Sequence, residues 1–470
     1  MRSFPSCWNK TLAQLGFKRK PRKRSKGCDR YRRRSLFESL EPRQMLAADL
    51  TVDTLLDTSD GGDTTSITTL INTPGSDGIS LREAIVAANN TGGANTIEFA
   101  TVAGTISLIS GELEIDEDLT ITGLGSGQLT IDGNDSSRIF SVDAGVNAEI
   151  SGVTMTRGYS SGNAGAILNE GHLTLNQVVV SVSHSDQHGG AIYSPSGSSL
   201  QIDQSTFEGN SVDWAGGAIN FNAAGGGHSS ITNSTFVNND ANNSGAIVVA
   251  DGSSADVVHI SNSTFSENTS NKSGGAIRAQ NSAHVELINS TVADNTVNDE
   301  TGGGLFRTGS ASFLVHNSII VGNTATSNPS LNDADGIFDS ASSYNLVGDT
   351  NFASELLDGN DNNQSATVAD VALAPLDYYG GPTKTYALLP TSTAIGSGDT
   401  TVSGHTDQRG FDQVGTLDIG AFEYSTAPLV VTTTADSDVA LGALSLRQAI
   451  NLAATLDGHN KLYFDAPLAQ

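Results

Sequence analysis

The chain has 470 residues, with 51 Gly and 11 Pro. Hydrophobic residues make up 37% and charged residues 16%, so the chain holds too many apolar side chains for plain disorder. Its mixture of small and β-branched residues fits many short strands joined by turns better than a globular α/β enzyme. The length exceeds what one ordinary core covers, which favours several units or one elongated repeat.

Charge divides the chain at residue 48. Residues 1–48, the basic leader, carry 14 Lys and Arg against 3 Asp and Glu, whereas residues 49–470, the body, carry 10 against 48. Such an acidic body repels nucleic acid phosphates and anionic lipid, and its expected partners are cations, neutral glycans or basic surfaces. Cys7 and Cys28 both lie in the leader, so the body can form no disulfide within itself.

The basic leader lacks the apolar stretch of about 7–15 residues that a secretory signal requires, and no run of about 18 apolar residues predicts a transmembrane helix. A disordered tail that contacts nucleic acid is one interpretation. However, residues 40–48, Leu-Glu-Pro-Arg-Gln-Met-Leu-Ala-Ala, resemble the LEPR-XLL signature of large exported bacterial proteins, with Met45 where Leu is usual. The resemblance implies a targeting segment processed near Ala47 and Ala48. We therefore expect an extracellular or cell-surface protein, associated with the outer membrane, that lacks the leader when mature.

Residues 49–103 are predicted to form an N-terminal cap. Ser80 and Glu83 have the spacing of a capping box, which predicts the start of a helix. That helix would place four apolar residues on one face: Leu81, Ala84, Ile85 and Ala88. The segment resembles the CSLREA domain that precedes β-helices, with Ile79 at the position of its cysteine. No thiol or redox role is therefore expected.

Residues 104–350 contain an internal repeat with steps of 25 to 30 residues, which indicates stacked units rather than a globule. A Gly-Gly-Ala-Ile element recurs with its apolar residue at Ile167, Ile192, Ile219, Ile247, Ile277 and Leu305. A second element places an apolar residue at Phe207, Phe236, Phe265, Val292 and Ile320, each three residues before an Asn. These Asn residues are Asn210, Asn239, Asn268, Asn295 and Asn323. The repeat predicts coils whose apolar residues stack inside, with an Asn ladder and tight glycine turns.

These paired elements resemble the repeats of polymorphic outer-membrane proteins. The resemblance implies an all-β fold, a right-handed parallel β-helix of the pectate-lyase-like class. The short strands between residues 105 and 158 are expected to form earlier coils of the same body.

Two further segments follow the repeat. Residues 351–426 resemble the choice-of-anchor Q region, which closes such bodies and is associated with cell-surface attachment. Residues 427–470 repeat the pattern of the N-terminal cap, with a second helix that starts at Ser445 and is expected to place Leu446, Ala449, Ile450 and Ala453 on one face. We interpret this segment as the start of a second, truncated unit.

The β-helix fold hosts polysaccharide lyases and hydrolases, so catalytic side chains were weighed individually. A lyase needs a basic residue together with carboxylates that hold Ca²⁺. Arg278 and Arg307 follow the glycine element in successive coils and could face one groove, although no Asp cluster accompanies them. The alternative, solvated arginines on the flank of the coil, needs no site.

Three segments of the sequence carry residues that could bind a metal ion. The segment His184-Ser185-Asp186-Gln187-His188 has metal-like spacing but no third ligand in the sequence, which favours a surface loop. The acidic loops at residues 57–63 and 358–361 could hold Ca²⁺ through carboxylate and carbonyl oxygens, although neither has an EF-hand pattern. We predict no other cofactor.

Two remaining patterns have structural explanations. The charged residues of the closing region are explained by an ion pair that fixes it, although they could suggest an acid pair: Asp407, Arg409, Asp418 and Glu423. Asn233, Asn262 and Asn289 match glycosylation acceptors but recur with the coil period. The sequence therefore names no catalytic residue. It predicts an exported surface scaffold or adhesin with glycans or proteins as partners, and a β-helical lyase or glycoside hydrolase as the alternative.

Overall fold

In a computed structural model, the structure describes residues 49–470 except 101, 226, 253–255, 350–352, 357–358, 360, 401–405, 414, 426–428, 437–441, 456–461 and 466–470. The basic leader, both cysteines and residues 358 and 360 of the acidic loop at 358–361 lie outside the described residues. The body folds as the right-handed parallel β-helix that the repeat and its resemblance predict. Each full coil contributes one strand to each of four parallel sheets, which we name A to D in the order in which the chain visits them.

The strands of the four sheets are as follows. Sheet A contains Asp49–Val52, Asn95–Phe99, Leu119–Thr122, Asn147–Ser151, His172–Asn176, Ser199–Asp203, Ser229–Thr232, Val257–Ser261, His284–Ile288 and Ser312–His316. Sheet B contains Gly104–Ser107, Leu129–Asp132, Thr154–Thr156, Val179–Ser181, Thr206–Glu208, Thr235–Val237, Thr264–Ser266, Thr291–Ala293, Ile319–Val321, Leu346–Val347 and Gln364–Ser365. Sheet C contains Tyr159–Ser160, His184–Ser185, Ser211–Ala215, Asp240–Asn243, Thr269–Ser270, Thr296–Val297 and Thr324–Ala325. Sheet D contains Leu113–Ile115, Phe140–Val142, Ile167–Asn169, Ile192–Ser194, Ile219–Asn222, Ile247–Ala250, Ile277–Gln280, Leu305–Arg307 and Ala334–Asp335.

Helices are few. The α-helices are α1 (Ile67–Asn72), α2 (Leu81–Thr91), α3 (Val368–Val371) and α4 (Leu446–Thr455), and 3₁₀ turns occupy Pro329–Leu331 and Ser354–Leu356. Among the described residues no helix is long and apolar enough to cross a membrane. A separate pair of parallel strands, Leu429–Val431 and Leu462–Phe464, accompanies α4.

The interior of the β-helix is built from the two predicted columns. In sheet B the rings of Phe207, Phe236 and Phe265 stack with centroids 4.9 Å apart and planes within 6° of parallel. The column continues through Val292 and Ile320, which occupy the next register positions. In sheet D the predicted apolar column is also in register and buried: Ile192, Ile219, Ile247, Ile277 and Leu305. One continuous core therefore holds the coils together, because a single coil buries almost none of its apolar surface alone.

The predicted asparagine ladder is present. Each side-chain amide nitrogen donates to the side-chain oxygen Oδ1 of the next Asn, from Asn210 to Asn239 at 3.0 Å and onward to Asn323. The ladder ends at Asp333, whose carboxylate accepts from Asn323 at 2.9 Å. These bonds satisfy polar groups that the stacked coils bury.

The paired glycines also have the predicted role. A Cβ atom on Gly217 would lie 2.0 Å from the carbonyl oxygen of Gly245 in the next coil. Only glycine fits there, because the backbones of successive coils approach too closely for a side chain.

The two ends of the body differ in what they cover. The first cap continues the solenoid, since Asn95–Phe99 pairs with Leu119–Thr122 in sheet A, and α2 buries the predicted face. The closing region lies against the outer side of sheet B: Gln408 bonds Thr235 and Thr264, and Tyr386 bonds Ser266. It therefore closes off one wall of the coil.

Candidate functional site

A group of aromatic and polar side chains, most of them partly exposed, lies where sheets C and D meet, on the outside of the coils. We call this group the aromatic patch; it consists of Tyr159, His184, Asp186, His188, Tyr193, Asp213, Trp214 and Asn220. The outward positions of sheet C supply Tyr159 and His184, and those of sheet D supply Tyr193 and Asn220. Parallel register brings together residues that are 25 and 27 positions apart in the sequence.

Trp214 is an exposed member of the aromatic patch, with 60% of its surface accessible. The pairing of its strand with Asp240–Asn243 changes register between Val212 and Ala215. Such a bulge pushes residues outward from the ladder, and here it turns Asp213 and Trp214 away from the coil. Asn243 of the next coil supports the bulge by donating to the Trp214 carbonyl oxygen at 3.3 Å.

Histidine rings join the aromatic side chains. The His188 ring lies 6.4 Å from the Trp214 ring and stacks on Tyr193 at 6.1 Å, while the Tyr159 and His184 rings stack at 6.1 Å. Burial lowers the pKa of His188, which keeps its ring neutral near pH 7. A neutral ring is the form that suits stacking and hydrogen bonding to uncharged ligands.

Carboxylates border the aromatic rings. His184 Nε2 lies 3.4 Å from Asp186 Oδ1 and 3.9 Å from Asp213 Oδ1, and the three ligand atoms all fall within 4.8 Å of one another. Ser211 holds the other ring nitrogen of His184 at 2.8 Å. The nearby Asp186 carboxylate raises the pKa of Tyr159, whose hydroxyl lies 3.2 Å from it. The patch thus offers hydrogen-bond acceptors beside apolar rings.

The sequence pointed to only part of this group. The segment from His184 to His188 lacked a third ligand, and the structure supplies Asp213 from the next coil, 25 residues after His188. Trp214 is the only tryptophan in the sequence of the body, and this alone could have marked it as a candidate binding residue. Its exposure, however, depends on the bulge. Periodicity could not reveal it, because a bulge interrupts the repeat.

Arg278 and Arg307 do not share a face, contrary to the expectation that they could. Arg278 pairs in register with Phe306 on the outer side of sheet D, whereas Arg307 pairs with Ala279, a buried position. Among the described residues the partners of the Arg278 guanidinium are neutral: Asn243, Ser273 and Gln280. Burial lowers its pKa, although Glu300 opposes that shift.

The charged residues of the closing region form the predicted structural ion pair. Arg409 Nη2 contacts Asp407 Oδ2 at 2.5 Å, both side chains are almost completely buried, and the guanidinium lies 3.6 Å from the centre of the Phe422 ring. Burial raises the pKa of Asp418 to about 6, while backbone amides of Gly396 and Tyr424 donate to its carboxylate. Glu423 accepts from the Asp418 amide at 3.1 Å. These acids hold the loop together through their hydrogen bonds.

The predicted glycosylation acceptors are turn residues. Asn233, Asn262 and Asn289 all have φ near +50°, the left-handed conformation that Asn tolerates better than most residues. Their recurrence therefore follows from the corner between sheets A and B, as the repeat predicted.

A concave surface with a volume of about 310 Å³ lies between the β-helix, the closing region and α4. Its charged residues are engaged with neighbours: Arg447 pairs with Asp436 at 2.7 Å, and Asp377 accepts from Asn451 at 3.0 Å. The aromatic patch, with its exposed rings, is the better candidate for ligand binding.

No protein-family model matches the sequence, and no curated protein matches it. Among solved structures, the pectate lyase Pel9A is similar over 80% of this chain and 96% of its own, at 15% identity and a TM-score of 0.44. A PL6 family alginate lyase, AlyGC, is similar over 82% of this chain and 61% of its own, at 13% identity and a TM-score of 0.22. Likeness at this level carries no conclusion about the chemistry of this chain.

Proposed function

We propose that the protein is an exported, cell-surface β-helix that binds glycans through the aromatic patch without cleaving them. The observation that carries the proposal is Trp214, a large ring held 60% exposed by a bulge beside two further stacked aromatic and histidine pairs. An exposed aromatic group of this kind costs solubility and is retained where it contacts a partner.

The chemistry of the aromatic patch suits a sugar. Pyranose rings present apolar C–H faces that stack on aromatic side chains, and their hydroxyls donate to carboxylates and amides. Here the rings lie beside Asp186, Asp213 and Asn220. Because the patch and the whole body are acidic, neutral or amino-bearing glycans fit better than uronic acid or sulfated polymers.

Export is supported by the leader and by the three resemblances. The charge reverses at residue 48, next to the segment that resembles the LEPR-XLL signature. The CSLREA-like and choice-of-anchor Q-like segments imply a location at the cell surface. Mass spectrometry of protein from the native cell should find a chain without Met1–Ala48. Recovery of that segment on cytosolic protein would contradict export.

Glycan binding is tested with the purified protein on an array of neutral, amino-bearing, uronic and sulfated glycans. The substitution Trp214→Ala should weaken binding of the glycan that the protein binds on the array about tenfold or more, because a central aromatic contact is lost. The matched control is Tyr463→Ala, which removes an exposed aromatic ring outside the patch and should leave binding unchanged. Equal binding by Trp214→Ala and the unsubstituted protein would place the glycan site elsewhere.

Hydrolysis is the second candidate, because Asp186 and Asp213 each bring a carboxylate oxygen to within 4.8 Å of the other. Paired carboxylates at about 5 Å are the arrangement of retaining glycosidases. Incubation with neutral and acidic polysaccharides, with Ca²⁺ present, is expected to release no reducing ends or unsaturated products. Cleavage that Asp213→Asn abolishes would replace the binding proposal with an enzymatic one.

A further inference from the structure

A cluster of three carboxylates in the first cap is separate from the aromatic patch. Asp60 belongs to the acidic loop, Asp77 precedes α2 and Glu83 lies in its first turn. One oxygen from each residue lies within 4.8 Å of the other two. The cluster therefore joins three segments that the sequence separates by up to 23 residues.

Each carboxylate is held in place by one of its two oxygens. The donors are Ser76 to Asp60 Oδ2, Thr58 to Asp77 Oδ2 and Ser80 to Glu83 Oε2. The other oxygen of each residue, Asp60 Oδ1, Asp77 Oδ1 and Glu83 Oε1, is buried and has no hydrogen-bond partner in the described part of the chain. Glu83 is only 1% exposed. A buried carboxylate oxygen without a partner is costly, so three together require an explanation.

No side chain in the described part of the chain forms an ion pair with these three carboxylates. The nearest arginine in the sequence, Arg82, contacts Asp57 at 2.7 and 3.1 Å and also donates to the carbonyl oxygens of Gly111 and Glu112. Within the described ranges, none of the ion pairs involves Asp60, Asp77 or Glu83. The repulsion among the three carboxylates is therefore not offset by an ion pair with any described residue.

Two glycines leave room next to the unpartnered oxygens. A Cβ atom on Gly62 would lie 2.9 Å from Glu83 Oε1 and 3.3 Å from the carbonyl oxygen of Pro74. A Cβ atom on Gly75 would lie 2.0 Å from Asp60 Oδ1. The carboxylates thus meet a surface of bare backbone that includes a further carbonyl oxygen. All potential ligands are oxygens, which hard cations prefer, and Ca²⁺ tolerates an irregular set better than Mg²⁺.

We propose that the first cap binds one Ca²⁺ ion through Asp60, Asp77 and Glu83. The ion ties the acidic loop and the segment before α2 to the first turn of that helix, and so stabilises the end of the β-helix. Bound Ca²⁺ would raise the stability of the cap against unfolding where the ion is abundant, as it is outside cells. This inference does not depend on glycan binding.

Binding is measured by titrating CaCl₂ into the whole protein after removal of metal, using calorimetry. One ion per chain should bind, with a Kd in the range of about 0.1–1 mM that is usual for extracellular modules. Saturating Ca²⁺ should raise the Tm by about 3 °C. MgCl₂ should give a weaker response.

Variants distinguish this site from the many other acids of the body. Glu83→Gln keeps the shape and the bonds to Ser80 but removes one charge, and it should weaken Ca²⁺ binding at least about tenfold. Asp60→Asn provides a second test in the exposed loop, where folding is less at risk. Asp436→Asn is the matched control and should bind as the unsubstituted protein does. The proposal would be overturned if the protein bound no Ca²⁺ at about 10 mM. It would also be overturned if the Glu83→Gln and Asp60→Asn variants bound Ca²⁺ as tightly as the unsubstituted protein does.

Discussion

The cap motif occurs twice in this chain, at residues 49–99 and 429–465, and the two copies differ in what they bury. Their strands pair in the same way: Leu50 faces Ile97 in the first, and Leu429 faces Leu462 in the second. Both helices start at a serine whose hydroxyl accepts from the third residue of the helix, Glu83 or Gln448. The local structure is therefore the same in both copies.

Burial separates them. Leu81, Ile85 and Phe99 are completely or almost completely buried in the first copy, where the next coils of the β-helix cover them. Their counterparts Leu446, Ile450 and Phe464 are 44%, 52% and 50% exposed. The predicted helix forms as α4, but the residues it buries are Gln448, Ala449 and Leu452, so only Ala449 of the predicted apolar face is fully covered.

The difference follows from the neighbouring surface. In the second copy, α4 packs on the closing region, where Gln448 donates to the Gly381 carbonyl oxygen at 3.0 Å. The equivalent residue of the first copy, Glu83, faces the proposed Ca²⁺ site instead. One sequence pattern thus supports two sets of contacts, which shows that amphipathicity fixes a helix but not its partner.

The largest expected effect contrasts equivalent isoleucines. Ile85→Ala should lower the free energy of unfolding by about 4 kcal/mol, because it leaves a cavity in the core of the first cap. Ile450→Ala should change it by less than about 0.5 kcal/mol, since that side chain is half exposed. Urea unfolding of both variants measures the contrast. Equal losses would show that Ile450 is covered in solution.

The next contrast concerns equivalent ion pairs. The Asp57 carboxylate accepts from Arg82 and from the backbone amides of Ile109 and Ser110, and its side chain is almost fully buried. Asp57→Asn should therefore cost about 3 kcal/mol. Asp436→Asn breaks the corresponding pair with Arg447, which is exposed and screened by solvent, so the urea midpoint should not move. If Asp436→Asn shifted the urea midpoint as much as Asp57→Asn does, burial would not explain why one ion pair stabilises the protein more than the other.

The smallest effect tests where the copies agree. Ser80→Ala and Ser445→Ala each remove a helix N-cap and should cost about 1 kcal/mol. Ser80 also donates to the Thr58 carbonyl oxygen at 2.8 Å, so its loss should be slightly larger. Circular dichroism during thermal unfolding follows both variants. A silent Ser445→Ala would show that α4 forms without its cap.

The solenoid could be predicted from the amino-acid sequence alone. Repeats such as Phe207, Phe236 and Phe265 identified the core, because every coil must place the same type of side chain at the same register position to bury it. The Asn ladder and glycine turns were predictable for the same reason. The helix starts at Ser80 and Ser445 could also be predicted from the sequence, because a capping box depends only on two residues that are three positions apart.

The two candidate sites, in contrast, form only when the coils and loops pack together. Asp213 joins His184 from the next coil, and Asp60 joins Glu83 across an irregular loop, so neither pair leaves a periodic trace in the sequence. The bulge that exposes Trp214 and the surface that α4 meets are likewise set by long-range packing. Local patterns reveal structure that repeats, whereas a binding site arises where residues distant in sequence meet and the repeat is broken.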